Sequence, residues 1–148
     1  DSIGLAIRMR DERRLQKAYE IWLEFQKEVI EEIRRKKQEV QEGKCIRFLI
    51  MEDAPTTGPV ASALSRYLFS DRPLIAVNIK NSIAKVSARS NARIAERIDL
   101  AAVMRIAAEK IGGSGGGHSV AAGATIPPDR VQEFIKEVDR LCCEFVSV

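Results

Sequence analysis

The sequence predicts an α/β fold, a small mixed β-sheet flanked by helices and preceded by a long N-terminal connector helix. Three observations predict it. Apolar residues recur at three- and four-residue steps over 11–42 and again over 130–146, the period of amphipathic helices. Short segments at 45–51, 74–80 and 83–89 have the length and composition of strands. The two kinds of segment alternate in the order α-β-α-β-β-α-β-α, which suits a sheet layered with helices.

Taken in order, the first helix carries Leu15, Tyr19, Trp22, Phe25, Val29 and Ile33 on one face and charges on the other. Pairs four residues apart, Glu31 with Arg35 and Glu32 with Lys36, support it, and Gly43 stops it. At ~1.5 Å per residue this helix runs to ~48 Å, longer than a domain of this size requires, so it reads as a connector. The run 45–51 is a buried strand, 52–59 a turn, and 60–69 a helix with Val60, Leu64, Tyr67 and Leu68 on one side. Segments 74–80 and 83–89, joined by Asn81-Ser82, make a hairpin. Asp99 caps a helix over 100–111. A glycine-rich loop then leads to a strand of small residues at 120–126. Pro127-Pro128-Asp129 punctuates the chain, and 130–146 closes it with Val131, Phe134, Ile135, Val138, Leu141 and Cys142 inward.

At 148 residues, 45% hydrophobic and 30% charged, the chain has the size and composition of an ordinary globular domain. No apolar run approaches the ~20 residues needed to cross a bilayer, and no signal-peptide pattern opens the sequence. A cytoplasmic protein with no membrane partner is expected. The first residue is Asp, and residues 2–9 read like the end of a preceding element, so a piece of a longer polypeptide is expected. Cys45, Cys142 and Cys143 cannot all pair, and the adjacent two lack the spacing of a metal site. Buried, reduced thiols are the expectation.

The formal charge of +3 is unevenly placed. Residues 11–42 carry eight basic and nine acidic side chains, whereas residues 66–118 carry nine basic and four acidic. A basic half favours a polyanionic partner, because phosphate contacts supply most nucleic-acid affinity.

The most informative stretch is 112–123, Gly-Gly-Ser-Gly-Gly-Gly-His-Ser-Val-Ala-Ala-Gly, which holds six of the nine glycines and the only histidine. Glycines this dense are kept where the main chain takes positive φ or where a ligand comes close to it. Bare N–H groups at Gly115, Gly116 and Gly117 can converge on an anion, and His118 can donate to a phosphate oxygen or stack on a base. A tight helix-to-strand turn capped by the histidine is the alternative. The second candidate is Ser87-Ala88-Arg89-Ser90 at the end of the third strand. Alternation puts Ser87 and Arg89 on one side, and an arginine fork between hydroxyls suits a phosphate.

Other chemistry is excluded. One histidine cannot build a histidine-rich two-metal centre. The sequence has no Gly-x-x-x-x-Gly-Lys-Ser/Thr phosphate loop and no Gly-x-Ser-x-Gly elbow. The glycine run follows a helix, where a dinucleotide fingerprint follows a strand. No residue is assigned a catalytic role, and the chain is not expected to act as an enzyme alone.

Ser-Ala-Arg-Ser at 87–90, followed by Gly-Gly-Gly-His-Ser-Val-Ala-Ala-Gly at 115–123, resembles the DHHA1 domain, the C-terminal half of many DHH-superfamily phosphoesterases. The extended stretch 112–127 looks most like archaeal RecJ-like single-strand exonucleases. The likeness covers residues from 44 to 146, and the first helix resembles the connector from the catalytic DHH domain. The resemblance implies a division into a connector helix and tail of a missing catalytic domain at 1–43 and a DHHA1-like substrate-binding domain at 44–148. It implies that Arg89, with Ser87 or Ser90, holds a phosphate, and that Gly115, Gly116, Gly117 and His118 contact a terminal nucleotide. Ala121, Ala122 and Gly123 would keep the following strand close. Manganese or magnesium would belong to the DHH domain, where a metal-activated hydroxide cleaves phosphodiesters; no DHH motif occurs in these residues. The implied partners are single-stranded nucleic acid or short oligonucleotides, the DHH domain of the same polypeptide, and replication proteins. A cyclic-dinucleotide or nano-oligonucleotide phosphodiesterase and a non-catalytic interaction module remain open, as does, more distantly, the DHHA1 domain of alanyl-tRNA synthetases. The sequence leaves DNA or RNA preference, polarity and oligomeric state open.

Overall fold

The computed structural model describes residues 1–147. Helix α1 (Ser2–Lys36) opens the chain, with Asp1 capping it by accepting from the Ile3 amide at 3.0 Å. The stripe expected to be buried is mostly bare. Leu15 is 71% exposed and Trp22 54%, and of that stripe only Val29 is buried and Ile33 half-buried. The reason is length. A helix of 35 residues spans ~52 Å at ~1.5 Å per residue, whereas the longest strands here have 7 residues. Only the last turns of α1 reach the body of the domain.

The sheet has six strands: β1 (Gln41–Glu42), β2 (Arg47–Glu52), β3 (Leu74–Lys80), β4 (Ile83–Arg89), β5 (Ser114–Gly117) and β6 (Ala121–Ile126), in spatial order β1-β2-β3-β4-β6-β5. It is mixed, as the sequence predicts. β2 and β3 are parallel, connected through α2 (Gly58–Ala63) and a π-helical continuation at Leu64–Leu68; all other neighbours are antiparallel. The β3–β4 hairpin turns on Asn81 and Ser82, at φ +54° and +63°, the left-handed pair that matches strand twist. After it come the short helix α3 (Ala92–Ala95), α4 (Leu100–Lys110) and α5 (Val131–Ser147). Asp99 caps α4 by accepting from the Ala101 amide at 3.0 Å.

Two apolar clusters lie on opposite sides of the sheet. On one side, Ile75 and Val77 of β3, Ala84, Val86 and Ala88 of β4, and Ala122, Ala124 and Ile126 of β6 pack under α4 and α5. Alanines at these strand positions let the helices sit close. On the other side, Leu49, Met51, Leu74 and Ala76 pack against Val60, Ala61 and Leu64 of the α2 region. That second apolar cluster stops at β3, and α2 reaches β4 only at its Arg89 end. The β4–β6–β5 half of the same face is left to Lys85, Ser87, Arg89, Thr125, Gly123 and Gly116, which are exposed or partly exposed. An open, polar strip of sheet beside a covered one is what positions the site.

Three further sequence expectations need correction. The first helix ends at Lys36 and is not stopped by Gly43, because Gln41 and Glu42 pair with β2 as β1. The glycine run is not a loop: residues 114–117 form the edge strand β5. The cysteines are not three reduced thiols, because Cys45 and Cys143, 98 positions apart, are joined. Spacing could not reveal a proximity created by docking the lead-in to β2 onto the end of α5. Cys142 is the free thiol, and burial pushes it up to about 12, with Asp139 adding to the rise. Among the described residues no helix is long and apolar enough to cross a membrane.

Candidate functional site

The two motifs read from the sequence meet in the fold. Antiparallel pairing sets Arg89 opposite Ala121 and Ser87 opposite Gly123, while Gly116 lies opposite Gly123 and Gly117 opposite Ala122. The Ser90 amide donates to Val120 O at 2.9 Å, and the His118 amide to Ala121 O at 2.9 Å. The loop 118–120 is also pinned to α4, through the Leu100 amide on Ser119 O at 3.1 Å. Arg89 and the His118 loop therefore share one end of the sheet, two strands apart, roughly 10 Å at the usual strand spacing. Directly opposed residues of an antiparallel pair face the same way, so Ser87, Arg89, Ala121, Gly123 and Gly116 all belong to the open face.

Arg89 is the centre of this arrangement. Its Nε donates to Ser62 Oγ at 3.0 Å, and its Nη1 to Ala88 O at 3.0 Å and Ala122 O at 3.3 Å. No carboxylate pairs with it among the described residues. Burial pushes the guanidinium below its ordinary value, with no countercharge to oppose that shift. Nη2 is turned toward Gly58 at the start of α2, where an added Cβ would stand 3.4 Å from it. A partly desolvated cation with donors to spare, held by neutral acceptors, is a ready receptor for an anion.

The glycines divide by role. A Cβ on Gly115 would come 2.5 Å from Met104 O of α4, and one on Gly117 would come 2.7 Å from Ala122 Cα. Gly117 also sits at φ +134°, and Gly123 lies too close to Val86 O for a side chain. These glycines let α4 and β4 approach. At Gly116 an added Cβ meets nothing within 4 Å, so no packing contact accounts for its missing side chain. His118 is exposed at the end of β5.

Beyond Arg89, a cavity of about 500 Å³ is lined by Ser62, Ser65, Arg66, Ser70, Ser90 and Asn91 among others. The Ser90 hydroxyl is buried there with no hydrogen-bond partner. Toward the start of β4, a second hollow of about 490 Å³ holds Thr57, Lys80, Lys85, Ser87 and Thr125. Its back wall includes Asn78, which clamps the β2–α2 turn: Asn78 Oδ1 accepts from the Ala54 amide, and Nδ2 donates to Ala54 O and Thr57 Oγ1, each at 3.0 Å. Sequence reasoning missed Ser62, Gly58 and Asn78. Ser62 and Gly58 reach Arg89 through the crossover of α2, Asn78 of β3 holds the turn that precedes it, and no motif or period marks them.

Among the described residues, the one group of three candidate metal ligands is Cys45, Asp139 and Cys143. Its two sulfurs are bonded to each other, and Asp139 already accepts from the Lys44 and Cys45 amides at 2.8 and 2.7 Å.

A model of the DHHA1 domain family matches residues 44–144. The chain belongs to the DHHA1 domain family. It is 34% identical over 145 residues to an uncharacterized protein of Methanocaldococcus jannaschii, covering 97% of this chain and 32% of that relative. This DHHA1 chain thus spans about a third of the relative's length. Among solved structures, it resembles the C-Ala domain of Aquifex aeolicus alanyl-tRNA synthetase (TM-score 0.58, 16% identity, 70% of this chain and 96% of that one). It also resembles a pGpG-specific phosphodiesterase from Vibrio cholerae (0.58, 13%, 80% and 40%) and RecJ from Thermus thermophilus in complex with Mg2+ (0.56, 21%, 80% and 18%). At these identities the structures establish the DHHA1 fold.

Proposed function

We propose that this DHHA1 domain is the substrate-gripping part of a metal-dependent phosphodiesterase that acts on the ends of single-stranded nucleic acid in the cytoplasm. Arg89 carries the reading: it is a partly desolvated guanidinium without a carboxylate partner, at the sheet end shared with His118 and beside the bare strip at Gly116. In this reading Arg89 takes the terminal phosphate, with Ser87 and Ser90 beside it. Gly116 gives the main chain close access to the sugar, and His118 contacts the terminal nucleotide. Gly115 and Gly117 serve by holding that strand in place.

Catalysis belongs elsewhere in this reading. A DHH domain of the same polypeptide would hold manganese or magnesium and supply the activated hydroxide; this chain binds the strand and orients it. The exposed Tyr19, Trp22 and Phe25 of α1 suit a helix covered by that domain, or by replication proteins that recruit it. Two or three charge-assisted contacts of ~1.5–3 kcal/mol each give weak affinity alone, yet enough to place a substrate beside metals.

Fluorescence anisotropy with labelled single strands tests the reading. Binding is expected to be weak and salt-sensitive, and to fall by about tenfold or more in an Arg89→Ala/His118→Ala double variant, the loss of one to two charge-assisted contacts. Undiminished binding by that variant refutes the site. Preference for a dinucleotide or a cyclic dinucleotide over longer strands selects the short-substrate reading instead.

A further inference from the structure

The basic half of the chain holds more cation than a terminal phosphate uses. On the far side of Ser70 from Arg89, the lead-in to β2, the turn at 71–73 and the α3 region enclose another cavity, of about 620 Å³. Lys44, Arg72, Arg93 and Arg97 line it. Pro73, Ile94 and Ile98 give it an apolar floor. Two carboxylates share the lining, Asp71 and Glu96. Asp71 is already taken, by Arg47 at 3.0 Å and Arg72 at 3.4 Å, and its bond to Arg47 holds its carboxyl below the usual range. Lys44, Arg93 and Arg97 have no ion-pair partner among the described residues, which leaves the cavity positive.

This cavity adjoins the one at Arg89. Ser70 is the divide: its carbonyl accepts from Asn91 Nδ2 at 2.9 Å and from Arg93 Nη2 at 3.5 Å. Ser70 and Asn91 line the cavity at Arg89, together with Arg66, while Arg93 lines the next one. Guanidinium groups therefore follow one another from Arg89 past Ser70 to Arg97.

We infer that the second cavity is a downstream subsite for single-stranded nucleic acid, its cations holding backbone phosphates of the strand whose end lies at Arg89. The inference rests on the proposed function and extends it. A cationic rim over an apolar floor suits this ligand, because phosphates track the charges while a ribose or base face lies on the aliphatic surface. A run of Asp and Glu would meet the charges but has no ribose or base face to set on that floor.

The test compares a 5′-phosphorylated dinucleotide with a decamer of the same base across a salt series. The native chain is expected to bind the decamer more tightly. An Arg93→Glu/Arg97→Glu variant, altered at exposed side chains, is expected to lose at least about tenfold in decamer affinity, with its log–log salt slope flattened by about 1.4, while keeping its dinucleotide affinity. Arg93→Lys/Arg97→Lys, which restores the charge, is expected to recover most of the loss. The subsite is overturned if the reversed variant binds the decamer like the native chain, or loses both ligands equally. It is also overturned if polyglutamate of matched charge competes as well as the decamer does. If Arg89→Ala keeps decamer binding that the reversed variant loses, the subsite stands and the terminal-site reading falls.

Discussion

Arg89 Nε donates to Ser62 Oγ at 3.0 Å, so a residue at the end of β4 is held by a residue of the crossover helix α2. The bond fixes the plane of the guanidinium and leaves Nη2 facing the start of α2. Without the hydroxyl, Nη1 alone still anchors the fork, on Ala88 O and Ala122 O, and part of its ordering is left to the moment of binding. Ser62→Ala is therefore expected to weaken single-strand binding by roughly threefold to tenfold, the range of one net hydrogen bond, with little change in melting temperature. Arg89→Lys keeps the charge but loses the fork, and is expected to cost about tenfold or more. Anisotropy titrations of both variants, with thermal melts alongside, separate the orienting effect from stability.

The glycine run offers a sharper partition. A methyl at Gly115 runs into Met104 O, and one at Gly117 runs into Ala122 on a backbone at φ +134°. Gly115→Ala and Gly117→Ala are each expected to destabilise by about 1–3 kcal/mol through overpacking. Gly116→Ala points its methyl into open space and is expected to change stability by less than about 0.5 kcal/mol. Its effect is expected on binding, several-fold weaker if the ligand lies on the bare strip. Denaturant melts and titrations of the three variants would show stability and affinity lost at different glycines.

The same run shows where sequence reading stops. Segments 74–80 and 83–89 are legible to the residue, because β-rich composition, an Asn-Ser turn and alternation all agree at β3 and β4. The motifs at 87–90 and 112–123 are legible as a pair, and the pairing of β4 with β6 brings them together. The packing reason for Gly115 and Gly117, against Met104 of α4 and Ala122 of β6, was hidden, because a missing side chain looks the same whether a phosphate or neighbouring protein fills the space. Leu15 and Trp22 read as core because periodicity reports an apolar stripe and not what covers it. Ser62 and Asn78 were invisible, since small polar residues acquire a role only when a crossover sets them against Arg89 or a turn.

The Cys45–Cys143 bond closes a loop of 98 residues. Constraining that much unfolded chain contributes about 4–5 kcal/mol in the chain-entropy picture. Reduction is not expected to free the lead-in to β2 at once, because Asp139 still accepts from the Lys44 and Cys45 amides. Cys143→Ser, or a reductant in the melt, is expected to lower stability by that amount and leave the β-sheet signature intact. Adding Asp139→Ala is expected to destabilise further. A free-thiol count in denaturant provides the direct check: one reactive sulfur before reduction and three after, since only Cys142 is unpaired.

One structural carboxylate on α5 keeps its charge well into acid. The Glu137 carboxylate accepts from Arg140 Nη2 at 2.5 Å and from Lys110 Nζ at 3.1 Å. These bonds, Arg140's foremost, outweigh burial and hold its carboxyl at about 2, below the ordinary 4.5. A carboxyl depressed on folding stabilises the protein above its unfolded value, and that contribution is lost as pH falls through the folded one. The window therefore runs from about 4.5 down to about 2. Both partners are at least half exposed to solvent, so screening trims the contribution to about 1–2 kcal/mol. Glu137→Gln is expected to melt lower than the native chain at neutral pH, with the gap closing as the solution is acidified through that window. Denaturant melts of both proteins across the pH series measure it, and a gap that stays constant into strong acid assigns the loss to packing instead of charge.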